Sequence, residues 1–266
     1  MNTQRWITNL YLIKEFLLRD FYITAAKLSD YTVNYILISP LIFNIGVGFL
    51  QAPIYFSHDP VAFCNRMLPG NLLMLMMALS FRNAFDLLFD LENNKFVNYQ
   101  LMFLNPRLIL VERILFGTLY TFFSVAPFFF VAKMILGDLL SSSDVSWISV
   151  YGVIFAGAFC CSAYHMFTVC VISLRQVSML WIRVNFFLTT LARLPIPIQQ
   201  AYLYSDFLSY AMYTCPMVYF VEGINRAFTK SPIFFALPIS IGVLFVSGVI
   251  FTVFSWIMFK KRVDHI

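Results

Sequence analysis

Charge is scarce in this chain. Only 12% of its 266 residues are Asp, Glu, Lys or Arg, against about 25% in an average soluble domain. A soluble fold of this size needs far more polar surface. The scarcity excludes a cytosolic enzyme, a disordered chain and a nucleic-acid reader, whose basic groups cluster on one face. Histidine is scarcer still, with three in all. No H-E-x-x-H, no G-x-S-x-G and no cluster of His with carboxylates occurs, so neither a metal centre nor a hydrolytic site is legible. The dipeptide Gly-Lys is absent, which removes a phosphate-cradling G-x-x-x-x-G-K-[ST] loop. Cysteine is present but without metal-ligand spacing. Cys160, Cys161 and Cys170 fall in one apolar run, where Cys behaves as a small hydrophobe. No compact apolar region with a small-residue cleavage site follows the first charges, Arg5, Lys14, Glu15, Arg19 and Asp20, so no secretory signal is read.

What is abundant is apolar surface: 61% of the residues are hydrophobic and the mean hydropathy is +0.79. These values predict an all-α, polytopic membrane protein. A span takes about 20 apolar helical residues, so the length accommodates six spans, short loops and no appended soluble domain. The hydropathy places them at 31–50, 67–89, 114–132, 147–174, 177–194 and 232–259. Pro40 should kink the first. The fifth is weak, because Arg183 and Arg193 interrupt it and Pro195 and Pro197 stop it. Residues 5–27 place Asn9, Glu15, Arg19, Asp20 and Lys27 on one arc of a helical wheel, and Trp6, Ile7, Leu10, Leu17 and Phe21 on the other. This pattern predicts a helix lying in the membrane interface. Residues 198–228 form two apolar or amphipathic pieces divided by Cys215-Pro216. Each is too short to span, so the prediction is a pair of external helices that re-enter the membrane against protein. His165, without a carboxylate in its span, is expected to hydrogen-bond to a neighbouring helix rather than relay protons.

Thirteen of the eighteen Lys and Arg residues fall on the side that holds both termini and 90–107, and five on the other. The positive-inside rule therefore puts both termini and that segment in the cytoplasm, in a cell membrane. Residues 90–107 form the longest strongly polar stretch. They nevertheless contain Phe96, Val97, Tyr99, Leu101, Met102, Phe103 and Leu104, side chains that a solvated loop does not need. A short amphipathic helix docking into a partner's groove does need them.

Three stretches carry a family resemblance. Asp90-Leu91-Glu92-Asn93-Asn94-Lys95, then Tyr99, Leu104-Asn105-Pro106 and Glu112-Arg113-Ile114-Leu115, resembles the coupling segment of the type-2 permeases of ATP-binding-cassette exporters. Cys215-Pro216-Met217-Val218-Tyr219-Phe220-Val221-Glu222-Gly223-Ile224-Asn225-Arg226 is similar to the Asn-Pro…Arg motif before the last span of that family, with Cys215 where Asn is usual. Leu18-Arg19-Asp20-Phe21, with Pro40, is similar to the start of the polysaccharide-exporting branch.

The resemblance implies a permease subunit that pairs with a second copy, most simply as a homodimer, around a path between the first, second and fifth spans. Two separate ATPase subunits beneath would bind the ATP, and this chain would bind no cofactor. Asp90, Glu92, Phe96, Tyr99, Leu104 and Pro106 would couple to the ATPase. Cys215, Pro216, Glu222 and Arg226 would form an outer gate, with Glu222 and Arg226 one turn apart on a shared helix face. A lipid-linked glycan or polysaccharide is the expected cargo. The alternatives are efflux of amphipathic drugs or lipids by the same kind of transporter, a membrane-embedded transferase, and a structural membrane scaffold. Membrane lipid is an expected partner and nucleic acid is not.

Overall fold

The computed structural model describes residues 2–26, 60–92, 106–137, 145–194, 196–229 and 234–263, together with Ile38, Leu41, Ile42 and Gly46. The expected first span at 31–50, apart from those four residues, and Phe96, Tyr99 and Leu104 of the expected coupling segment, lie outside the described residues. Every regular element among the described residues is helical. In chain order these are α1 (Asn2–Ala26), α2 (Pro60–Glu92), α3 (Pro106–Val125), α4 (Phe128–Leu136), α5 (Trp147–Val171), α6 (Val177–Leu180), α7 (Phe186–Ala192), α8 (Asp206–Thr214), α9 (Pro216–Thr229) and α10 (Leu237–Val263).

Four stretches are long and apolar enough to cross a membrane: Met67–Leu91, Arg107–Leu136, Trp147–Val171 and Leu237–Arg262. They correspond to the expected second, third, fourth and last spans. The chain is thus an all-helical membrane protein with four candidate spans among its described residues. The third runs through α3 and α4 across a turn at Ala126-Pro127, where proline cannot supply the helical N–H.

The expected fifth span is helical but not one regular helix. A 3₁₀ turn (Leu174–Gln176), α6, a π turn (Trp181–Asn185) and α7 follow one another. A π turn inserts an extra residue into the helical repeat, and here it delivers Asn185 into the protein interior, where that residue is 2% exposed.

Packing is organised around α5, against which α10, α2, α3 and α9 all lie. In the apolar window of α5, 83% of residues are buried, against 17% in that of α10. The first is therefore wrapped by protein, and the second presents most of its surface outward. Two glycines allow close approach. A Cβ on Gly248 of α10 would sit 2.5 Å from the Phe159 ring and 3.4 Å from the Cys160 Cα of α5. A Cβ on Gly157 would sit 2.4 Å from the Phe220 ring of α9. Small residues at such crossings let membrane helices gain van der Waals contact, which the hydrophobic effect does not supply within lipid.

Helix α1 is apolar on both sides, with Leu12, Phe16, Leu17 and Phe21 packed against the bundle and other apolar side chains turned outward. Asp20 is buried and Phe21 packs edge-on against Phe116 of α3 at 5.2 Å. Leu10, Tyr11, Leu18, Tyr22 and Ile23 are exposed. Apolar side chains outward and a paired charge inward suit a helix resting in the boundary of a bilayer.

Candidate functional site

Three polar groups interrupt the apolar body. The first gathers where α1, the end of α2 and the start of α3 meet. Arg113 of α3, almost fully buried, places Nη1 3.0 Å from Asp20 Oδ2 of α1 and Nη2 3.6 Å from Asp90 Oδ2 of α2. Its Nε lies 3.6 Å from Oε2 of the adjacent, fully buried Glu112. Arg19 Nη1 closes on Asp20 Oδ1 at 3.2 Å. A guanidinium suits this position because its planar fork presents donors in several directions and keeps its charge when buried. Beside the joint lies a cleft of about 210 Å³ lined by Arg19, Asp20, Asn83, Asp86, Asp90 and Arg113. No group of His, Cys, Asp and Glu among the described residues is arranged to hold a metal ion.

Of the expected coupling residues, Asp90 belongs to this joint. Glu92 ends α2 and Pro106 begins α3. Proline at a first helical position costs nothing, because its missing N–H would have no intrahelical partner there. Residues 93–105 thus connect two helices that the Arg113 joint fastens together.

The second group sits where α9 meets the segment after α7. Cys215 ends α8 in an extended conformation, as a residue before proline must, and Pro216 opens α9. Glu222, on α9, is 3% exposed and its Oε1 accepts the backbone N–H of Ile198 at 2.9 Å. Among the described residues no ion pair joins Glu222 to the half-buried Arg226. Burial pushes the Glu222 carboxyl up to about 7, partly opposed by the Ile198 and Phe235 amides that favour the carboxylate. Cys64 and Cys215 are buried free thiols. Cys161 Sγ contacts Met217 Sδ at 3.8 Å.

The third group was only half legible. His165 of α5 is fully buried, with Nδ1 3.0 Å from the Cys161 carbonyl and 3.1 Å from Ser80 Oγ of α2. A carbonyl only accepts, so Nδ1 carries the proton, and the amide nitrogen of Asn185 facing Nε2 makes that atom the acceptor of a neutral imidazole. Nε2 then accepts from Asn185 Nδ2 at 3.2 Å, and Asn185 Oδ1 accepts from the Tyr164 hydroxyl at 3.0 Å. The expected bond to a neighbouring helix is present, and it extends to the π turn. Ser80 and Asn185 carried no sequence signal, since isolated small polar residues are common in apolar runs.

The three groups are stacked along the spans. Gly70 of α2 abuts Arg193, next to Leu194 in the wall around Glu222. Ser80 bonds His165, and Asp90 bonds Arg113. At 1.5 Å per helical residue, Gly70 and Asp90 are separated by roughly 30 Å, the thickness of a bilayer core. The Glu222 and Arg113 groups therefore occupy opposite ends of the bundle, with His165 near the middle. Comparison of the chain with protein-family models, with characterised proteins and with solved structures returns no match.

Proposed function

We propose that this chain is the membrane-spanning subunit of an ATP-driven exporter of the type-2 permease kind. It works as a homodimer above two copies of a separate ATPase, in the cell membrane, with both termini cytoplasmic. The observation that carries the reading is the buried joint Asp20–Arg113–Asp90. It fastens an interfacial helix to the two spans from which the polar segment 93–105 emerges. A push on that segment from below is then transmitted to α1, α2 and α3 together, because a buried, ion-paired charge is costly to separate. In this reading 31–50 and the broken segment 174–192 complete a six-span path, and α8 and α9 cap its outer end. The His165–Asn185 bond ties the fifth segment to the body. A lipid-linked glycan is the cargo that fits both the resemblance and the apolar surroundings.

The test is replacement of Phe96 and Tyr99 by Ala, followed by purification from membranes that contain the candidate ATPase. The expected outcome is loss of ATPase co-purification while the permease stays folded. Full retention of the ATPase, with undiminished stimulation of its turnover, would falsify the coupling role. A reading frame beside this one that encodes a P-loop ATPase is the accompanying genomic observation.

A further inference from the structure

A groove of about 480 Å³ runs between α7, α8 and α10. At one end it is walled by Phe207 and Tyr210 of α8, and at the other by Tyr164 of α5 and Phe251 of α10, whose rings meet edge-on at 5.4 Å. No Asp, Glu, Lys or Arg lines it. The Tyr164 hydroxyl at its floor is already given to Asn185, and the Thr214 hydroxyl to the Tyr210 carbonyl. Water therefore finds almost no hydrogen-bond partners inside, and a dry, unfilled groove would forfeit dispersion contacts along its whole lining.

Depth identifies the occupant. Phe251 lies near the middle of the span Leu237–Arg262, and Tyr164 adjoins the mid-depth His165. The groove begins at the external helix α8, so it extends through one leaflet and stops. A second protein helix would cross both leaflets, whereas one lipid tail ends at the midplane. The volume agrees: about 480 Å³ is several times the roughly 150 Å³ of a cavity that takes one benzene, room for one acyl chain.

We propose that this groove is a binding site for a single hydrocarbon tail of a bilayer lipid, drawn from the leaflet on the α8 side. The site does not depend on the transport reading, since it rests on the shape, dryness and depth of the groove. Its occupant touches Tyr164, so filling the groove steadies the Tyr164–Asn185–His165 network and with it the π turn.

The test uses the full chain in phospholipid nanodiscs with a small fraction of a phospholipid bearing a diazirine on a 16-carbon tail. After illumination, adducts are mapped by mass spectrometry. Adducts at Tyr164, Met217 and Phe251 should exceed those at Phe245 and Phe254, which are exposed on the outer surface of α10. Ala211→Trp inserts an indole into the groove. Losing the contact of one methylene weakens binding about fourfold, so groove adducts should fall tenfold or more while those at Phe245 and Phe254 persist as a control of folding. Wild-type adducts spread evenly over groove and outer surface would overturn the proposal without any variant. So would groove labelling unchanged by Ala211→Trp. An unlabelled groove, with crosslinks between copies through Phe207→Cys, would assign it to a second copy of the chain instead.

Discussion

Arg113 holds a position for which no neutral side chain substitutes. Three acidic side chains from three elements converge on it within 3.6 Å, all in a largely buried setting. Removing one partner of such a pair leaves charge without compensation, which costs about 3–5 kcal/mol where no other partner remains. Asp20→Ala should destabilise the purified protein by less than that full cost in a thermal-shift measurement, because Asp90 stays in place. The double replacement Asp20→Ala with Arg113→Met should be less destabilised than the two single effects added together. Strict additivity in a thermal-shift cycle would mean that the contact carries no coupling.

Glu222 allows a signed prediction. Its folded value, about 7, lies above the ordinary carboxyl value of 4.5, chiefly through burial. Between those values the folded state binds more protons than the unfolded one, so stability falls as pH rises from 4.5 to 7 and levels off above. Glu222→Gln should remove that slope and raise the thermal midpoint at pH 8, where the wild type must bury a carboxylate. A slope identical in both proteins would show that other groups set it.

Among the elements, the contact between α5 and α10 is sensitive to volume. Gly248 admits the Phe159 ring to a place that any Cβ would occupy. Gly248→Leu should destabilise the fold by about 1–3 kcal/mol through overpacking, and reducing Phe159 to Ala in the same chain should recover part of it. Gly242, on the same helix, has nothing within 4 Å of the place a Cβ would take. It provides the contrast: Gly242→Leu should be close to neutral by thermal shift. The π turn has a different logic. The turn ends on Asn185, which reaches His165, so the break in the fifth segment contributes a residue to the mid-bundle network.

For the whole molecule, topology is the property most directly measured. All five cysteines are buried as free thiols, so membrane-impermeant thiol reagents should leave the native chain unlabelled. The single replacements Thr3→Cys and His265→Cys should then react only from the cytoplasmic face of sealed vesicles. Labelling of the two from opposite faces would break the assignment of both termini to one side and the six-span count with it.

Helicity, membrane character and the places of four spans were legible because hydropathy is a local quantity, summed over about 20 consecutive residues. The end of α8 was legible from Cys215-Pro216, because it depends on neighbours a few residues apart. The partners inside the bundle were not. Asp20, Asp90 and Arg113, or Ser80, His165 and Asn185, lie tens of residues apart and meet only once the helices pack. The wheel could show that α1 had two faces but not that its acid turns inward, because that depends on a buried guanidinium on another helix. Likewise, Glu222 and Arg226 share a helix face by spacing, yet Glu222 gives its oxygen to the Ile198 amide. A backbone donor brought close by tertiary folding satisfies one oxygen of a buried carboxyl group without immobilising a long side chain, and no local pattern announces it.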